Sequence, residues 1–340
     1  MMDSIIKEDL DRVLRHIRPG FFEGKRVLVS GGSGFLGSWI CDVSLMAGAV
    51  VVCLDNFSTG LFENVEHLKG TRNFEFERGD VCSYTSHGRI DLIFHMASRP
   101  APEDYQKHPV ETALANSEGT HRMLEVARKY DSIIFYSSSS EVYGDPDVLP
   151  TPESYEGKVD PLGPRSCYEE GKRFGEALCK AYSDEYGVDV RIGRIFNSYG
   201  PRLRSEGSYG RVISRLVTQA LAGEDLTVYG DGSQTRSFCY VTDTLRGIFL
   251  MVMEKKLKGR ALNLGSQDEI SIIELAQEIL KVAIPQSHPP KIGYRGFPKG
   301  DPRRRVPQIA EARNLLGWEP QTSLREGLTR TVNWFRMLQI

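Results

Sequence analysis

Three glycines, Gly31, Gly34 and Gly37, restrict the folding options of this chain more than any other feature. They follow the apolar run Arg26-Val27-Leu28-Val29 and lie within Ser30-Gly31-Gly32-Ser33-Gly34-Phe35-Leu36-Gly37. The run reads as a buried strand, and the residues from Ser38 to Ala47 read as a helix. A second apolar run, Val50-Val51-Val52-Cys53-Leu54, ends in Asp55. A GxxGxxG spacing alone is weak, but strand, glycine turn, helix and acid-tipped strand together form a βαβ unit. Its glycines let the backbone approach a pyrophosphate, which sits on the amides of the helix N-terminus. An acid at the end of the second strand is placed to bond the adenosine ribose hydroxyls. Asp55 would repel a 2′-phosphate, so the expected cofactor is NAD and not NADP.

The same alternation continues. Phe74-Glu75-Phe76 runs into Gly79-Asp80-Val81, and Leu92-Ile93-Phe94-His95 and Ile133 to Tyr136 follow, separated by helical stretches including Pro109 to Tyr130. Val188 to Ile195 is one strand more. The expected class is α/β, a doubly wound parallel-sheet (Rossmann) NAD-binding domain with a smaller mixed C-terminal lobe. At 340 residues, one large or two coupled domains are expected. Residues 1–24 form an N-terminal helical extension whose Ile6, Leu10, Val13 and Ile17 keep a helical period, packed on the main domain or a second subunit. Residues 25–198 with about 237–265 form the NAD-binding domain. About 199–236 with 266–340 form the nucleotide-sugar lobe. Within 200–236 the arginines Arg202, Arg204, Arg211, Arg215 and Arg236 are either solvated surface or a grip on a substrate diphosphate.

Composition narrows the function classes. The net charge of −2 offers no basic field for nucleic acid, and no apolar run approaches membrane-spanning length. Six cysteines are scattered with no CxxC or His/Cys ligand spacing, so no metal site is indicated, and reduced thiols in a cytoplasmic protein are expected. His95 reads as a packed strand-end histidine. Asn116 reads either as a site residue or as a helix amide bonded to a neighbouring strand.

The chemistry concentrates between Ser137 and Lys172. The strand ending at Tyr136 breaks into Ser137-Ser138-Ser139-Ser140-Glu141, at the sheet edge where ligands are met. Tyr168 and Lys172 are four residues apart and share a helix face. An isolated pair of that spacing is ordinary surface. Beside a dinucleotide site, an ammonium that favours the phenolate supplies a base for removing an alcohol proton.

These residues resemble the extended short-chain dehydrogenase/reductase family over nearly the whole chain from about Lys25, and within it the UDP-glucuronate decarboxylases. The matching segments are Ser139 to Pro146, Gly163 to Arg173, Gly210-Arg211-Val212, Thr227 to Gly230, Gln234 to Arg236, Asp301 to Arg305 and Leu316 to Pro320. The resemblance implies that Gly31, Ser33, Gly34, Phe35, Leu36, Gly37, Asp55, Asn56, Asp80, Val81, Ala97, Asn116, Tyr168 and Lys172 hold NAD. It implies catalysis by Ser139, Ser140, Glu141, Tyr168, Lys172 and Arg305. For the substrate it implies Arg99, Tyr105, Asn197, Arg202, Arg211, Tyr229, Arg236 and Arg305. The reaction expected is redox-neutral loss of carbon dioxide from a nucleotide-linked hexuronic acid through a 4-ketone, with Lys172 and the nicotinamide lowering the Tyr168 pKa, in a homodimer packed through the helices of Asn116 and Tyr168. Two departures stand out: Arg99 adds a charge to a small, proline-bearing stretch, and Ser139 replaces a common threonine. A nucleotide-sugar 4,6-dehydratase or 4-epimerase, and a non-catalytic NAD-binding protein, are the other readings. Ser140 stands where glucose-type dehydratases carry an acid, but the Ser-Glu pair also occurs in GDP-mannose dehydratases.

Overall fold

The computed structural model describes residues 3–206, 211–284, 289–297 and 300–338. Gly210 and parts of the proline-rich stretch 285–302 lie outside the described residues. Six strands, β1 (Arg26–Ser30), β2 (Val50–Asp55), β3 (Phe74–Arg78), β4 (Leu92–His95), β5 (Ile133–Ser139) and β6 (Asp189–Ile195), join the strand Arg260–Leu264 in one sheet. Its seven strands pair in parallel in the order Arg260–Leu264, β6, β5, β4, β1, β2, β3. The order reverses between β1 and β4. At such a switch point the chains leaving the two strands diverge and open a crevice at their C-terminal edges.

The helices before and around the crevice are α1 (Ser4–Leu14), α2 (Phe35–Met46), α3 (Pro102–Lys107), α4 (Pro109–Asn116), α5 (Glu118–Tyr130) and α6 (Ser166–Tyr186). α2 begins at Phe35, three residues earlier than its pattern suggests, with Gly34 as an extended N-cap that offers no side-chain acceptor. Its first amides are thereby left for a ligand. The helix is almost wholly buried, from Gly37 to Ser44, because α1 and the helix Val241–Met253 cover the side away from the sheet. α1 buries Ile6, Leu10 and Val13, so the extension packs on the body of its own chain.

The expected long helix from Pro109 to Tyr130 is two helices. It breaks at Ser117, whose backbone lies at φ −105° and ψ −75°. Ser117 Oγ donates to the Ala113 carbonyl at 2.8 Å, and Thr120 and Asn116 donate back in the same way. Short polar side chains in competition with the helix ladder bend it there. The smaller lobe pairs Leu226–Tyr229 with Ile292–Arg295 in parallel, and Thr235–Ser237 with Glu269–Ser271 antiparallel. Thr151 N donates to the Val306 carbonyl at 2.8 Å and Gln308 N to the Thr151 carbonyl at 2.9 Å. Asn263 Nδ2, from the sheet, donates to the Thr151 and Gln308 carbonyls at 3.0 Å each, so the paired segments, and with them the chain that carries Arg305, are held against the main sheet.

One charge in the α1 seam is set by burial. Asp9 is fully covered, accepts from Tyr240 OH at 2.6 Å and faces Arg330 Nε at 2.9 Å. Burial pushes its carboxyl up from 3.8 to about 6, against the pull of Tyr240, Arg330 and Arg12. A raised folded-state pKa means that this group favours folding most below 3.8 and loses that contribution as pH rises through about 6. Thermal melts of wild type and Asp9→Asn between those limits should therefore diverge. The wild type should lose up to roughly 3 kcal/mol relative to the variant as pH rises; parallel curves would refute the assignment.

Candidate active site

The crevice is a single cavity of about 960 Å³ running from the glycine turn to the C-terminal lobe. Gly31, Gly34, Phe35, Leu36, Gly37, Asp55, Asn56, Asp80, Val81 and Ala97 line its first half. A β-carbon on Gly37 would collide with the Gly31 carbonyl oxygen, and Gly31 itself has φ +71°. The turn thus tolerates side chains at neither position, and α2 comes as close to β1 as backbone allows. Asp55 closes the end of β2, where its carboxylate accepts from Ser33 N at 2.9 Å and Phe57 N at 2.8 Å. Burial raises its pKa while those amides pull it down. Asn56 Nδ2 donates to Asp80 at 3.0 Å, which joins the two loops flanking the cavity. An open cleft of this length, with unpartnered α2 amides at its floor and an acid at the tip of β2, fits an extended dinucleotide of the NAD type.

Asn116 is buried but bonds to no strand. Its amide donates to the Thr112 carbonyl one turn earlier at 2.9 Å, and its Oδ1 has no partner among the described residues. Its β-carbon instead packs on Gly171 of α6, between Glu170 and Lys172. His95 is satisfied by Ser30 at 2.7 Å and Thr120 at 3.1 Å.

β5 runs three residues further than its apolar core and delivers Ser137, Ser138 and Ser139 to the crevice. Ser139 Oγ accepts from Glu141 N at 3.2 Å and is near enough to Tyr168 to favour its phenolate. Ser140 is buried at the start of the short turn that carries Glu141. Tyr168 and Lys172 lie on α6, Tyr168 stacked on Tyr105 with centroids 5.1 Å apart and planes at 8°. Behind them Glu176 ties Ser138 at 2.5 Å to Arg194 at 2.6 Å, and Arg194 reaches Tyr143 at 2.7 Å. That network, which the sequence reading did not single out, fixes α6 against the ends of β5 and β6.

The expectation that Lys172 depresses the Tyr168 pKa is not met in this ligand-free arrangement. Burial pushes Tyr168 up to about 12, and the nearby Glu141 charge adds to the rise. Ser139, Arg211 and Arg305 oppose it. Burial also pushes Lys172 down to about 7, and its Nζ donates to the Ser137 carbonyl at 2.7 Å. Removing both groups from water favours their neutral forms more than their separation favours the ion pair. The Lys172 nitrogen stands 5.8 Å from the Tyr168 ring centre.

Next to Tyr168 lies a buried cluster of charges. Glu141 Oε1 meets Arg165 Nη2 at 2.9 Å and Arg305 Nη1 at 3.5 Å, and Oε2 accepts from Tyr105 OH at 3.3 Å. Burial alone would raise the Glu141 pKa, but the two guanidiniums outweigh it and hold the carboxyl below its ordinary value. Arg165 also reaches Glu169 and Asp301, each at 3.2 Å, and Arg236 meets Asp301 at 2.7 Å. Of the triplet Arg303-Arg304-Arg305, Arg304 pairs with Glu269 on the surface while Arg305 turns inward. Arg165 and Asp301 had no role in the sequence reading. A signal for Arg165 was available: a cation at the N-terminal end of a helix opposes the macrodipole, so such a residue implies acidic partners.

The remaining substrate candidates divide. Arg211 and Tyr229 line the cavity, and burial lowers the Arg211 pKa against the pull of Tyr168 and Glu141. Asn197 lines it too, with its amide bonded to the Ser237 carbonyl at 2.9 Å. Arg202 and Arg99 line it as well, but the Arg202 charge goes to buried Asp42 at 2.6 Å, above the Trp39 ring. Arg99 is likewise neutralised, by Asp104 at 3.0 Å and Glu111 at 2.7 Å. Among the described residues there is no cluster of His, Cys, Asp or Glu able to hold a metal ion, and no helix is long and apolar enough to cross a membrane.

Comparison with known proteins agrees with this geometry. Residues 27–265 match the model of the NAD dependent epimerase/dehydratase family. The chain is 44% identical over 311 residues to UDP-glucuronic acid decarboxylase 1 of Danio rerio, an alignment covering 92% of this chain and 72% of that one. It is 42% identical to UDP-glucuronic acid decarboxylase 6 of Arabidopsis thaliana, over 93% and 91% of the two chains. An epimerase from Methanothermobacter thermautotrophicus superposes with a TM-score of 0.86 at 32% identity, covering 97% of this chain and 96% of that one. A UDP-glucuronic acid 4-epimerase from Bacillus cereus, solved with a fluorinated UDP-glucuronic acid and NAD, gives 0.82 at 28% identity over 92% and 99%. With its glycine turn, acid-tipped second strand and Ser139, Tyr168 and Lys172 at one sheet edge, the chain belongs to the NAD dependent epimerase/dehydratase family.

Proposed function

We propose that this protein is an NAD-dependent decarboxylase that converts UDP-glucuronate to UDP-xylose. The observation that carries the reading is the Glu141–Arg305 pair beside Tyr168, in which Arg305 Nε and Nη2 are buried with no partner among the described residues. A buried guanidinium edge that the protein itself leaves unpaired is suited to a carboxylate. The names of the relatives support the same substrate.

NAD, when bound along Gly31 to Gly37 and Asp55, supplies a hydride acceptor that later gives the hydride back. Tyr168 takes the proton of the sugar 4-hydroxyl and Ser139 bonds that oxygen, so C4 becomes a ketone. Arg211 and Arg305, joined by Lys172 in its protonated form, oppose the cost of a phenolate in a buried site. The carboxylate on C5 is then β to the ketone. As the C5–carboxylate bond breaks, its electron pair enters the ketone as an enolate and carbon dioxide leaves. Glu141 faces the carboxylate with like charge and disfavours its ground state. Arg305 orients the carboxylate, and a proton is delivered to C5 directly from it or through water. Tyr168 finally returns its proton to the O4 oxygen.

The lobe of Arg211, Tyr229 and Arg236 holds the nucleotide in this reading. Val110 and Leu114 of α4 and Phe174 of α6 are exposed apolar side chains on neighbouring helices, which supports a homodimer packed through that face. Six free cysteines support a reducing, cytoplasmic setting. Mass spectrometry of products from a panel of UDP-sugars tests the whole assignment. Loss of carbon dioxide from UDP-glucuronate is expected; loss of water or an unchanged mass would make the protein a dehydratase or an epimerase.

Three further outcomes are expected. NAD should bind more tightly than NADP because the Asp55 carboxylate at the tip of β2 would repel a 2′-phosphate, and equal affinities by calorimetry would refute that role. Tyr168→Phe should abolish turnover while NAD binding stays within about threefold, since the phenol is the proton acceptor and not a main anchor. Glu141→Ala and Arg305→Ala should still oxidise the sugar, seen as nicotinamide absorbance in stopped flow, yet release carbon dioxide about a hundredfold more slowly. Wild-type carbon dioxide release by Arg305→Ala would remove the main support for decarboxylation.

A further inference from the structure

Arg165 has no part in the chemistry above, yet it is the most heavily engaged charge in the site. It is the N-cap residue of α6 and only 6% exposed. Each of its guanidinium nitrogens faces a different protein carboxylate: Nη2 Glu141, Nε Glu169 and Nη1 Asp301. Although it lines the cavity, all three of its nitrogens are thereby engaged within the protein. Arg305 is its opposite, with one ion contact, at 3.5 Å to Glu141, and with Nε and Nη2 unpartnered among the described residues. Both arginines approach the same atom, Glu141 Oε1, and Arg165 holds it 0.6 Å closer (3.5 against 2.9 Å).

We propose that Arg165 is a positioning residue for carboxylate recognition: by holding Glu141 Oε1 it keeps that anion from closing further on Arg305 and leaves the buried Nε/Nη2 edge of Arg305 unpaired for the hexuronate carboxylate. The inference rests on the reading of Arg305 as the carboxylate contact. A buried carboxylate that loses its nearest cation moves toward the next one, because an unpaired charge in a desolvated site is costly. Without Arg165 that next cation is Arg305, and Glu141 becomes an internal competitor of the substrate. Asp301 reinforces the arrangement, since it bridges Arg165 and Arg236 four residues before Arg305.

Calorimetric affinities of the NAD-loaded enzyme for UDP-glucuronate and for UDP-glucose separate this role from a merely structural one. The two ligands differ only in whether C5 carries a carboxylate or a hydroxymethyl group. Arg165→Met should weaken UDP-glucuronate about tenfold and leave UDP-glucose within about twofold. In a Glu141→Gln background, where the competitor is neutral, Arg165→Met should have no selective effect. Equal weakening of both ligands, or an undiminished selective loss in the double variant, overturns the proposal. Should Arg165→Met not fold, Arg165→Lys takes its place, with a selective loss of about threefold expected because one ammonium cannot serve three carboxylates. A wild type that binds UDP-glucuronate no better than UDP-glucose refutes the Arg305 reading itself, a failure distinct from loss of selectivity in the variants alone.

Discussion

The contact on which the structure depends is the backbone approach of α2 to the end of β1, where the α-carbon of Gly37 lies against the Gly31 carbonyl with no room for a methyl group. This contact sets the depth of α2 in the fold. At that depth the helix is covered on every side, by the sheet, by α1 and by the helix Val241–Met253. It also aims the α2 N-terminus at the crevice where β1 and β4 part. Packing and ligand recognition are therefore consequences of the same two missing side chains, and neither could be altered without the other.

The second organising feature is electrostatic. Few charged side chains are covered in most proteins, but this crevice covers Glu141, Glu169, Arg165, Lys172, Arg236 and Arg305. Such a collection is tolerable only when each charge has a counterpart, since isolated ions lose several kcal/mol of hydration. Most of the cluster is balanced by its own members. Arg305 has a single contact at 3.5 Å, and Lys172, without an ion pair among the described residues, answers burial by shifting toward neutrality. Both of these incompletely compensated groups line the cavity.

How much of this could be read from the chain depended on the range of the pattern. The βαβ unit, the strand ending in serines and the Tyr168–Lys172 face each lie within a few dozen residues, and their periodicity carries the geometry. The N-terminal helix was legible from Ile6, Leu10 and Val13 for the same reason. Pairings between distant charges carry no such period. Nothing near Arg202 announces Asp42, and nothing near Arg165 announces Asp301, so one arginine was assigned to the substrate and the other to nothing. The break at Ser117 was missed because apolar spacing continues through it while its hydroxyl competes with the ladder. The direction of the Tyr168 shift was misjudged because the expectation counted the neighbouring cation and not the depth of burial.

The bonds between Thr151 and the chain at Val306 and Gln308 have a consequence for the order of events during synthesis. Arg305 belongs to the last tenth or so of the polypeptide, whereas Glu141, Ser139 and Tyr168 emerge from the ribosome far earlier. Contacts that span such separations form late, because loop closure must precede any gain from them. Most of the parallel sheet can assemble while the crevice still lacks its innermost cation. The site is finished only when the C-terminal segment docks, because only then does Arg305 reach Glu141. In this architecture completeness of the chain is itself a condition of competence, enforced by topology and not by any separate control.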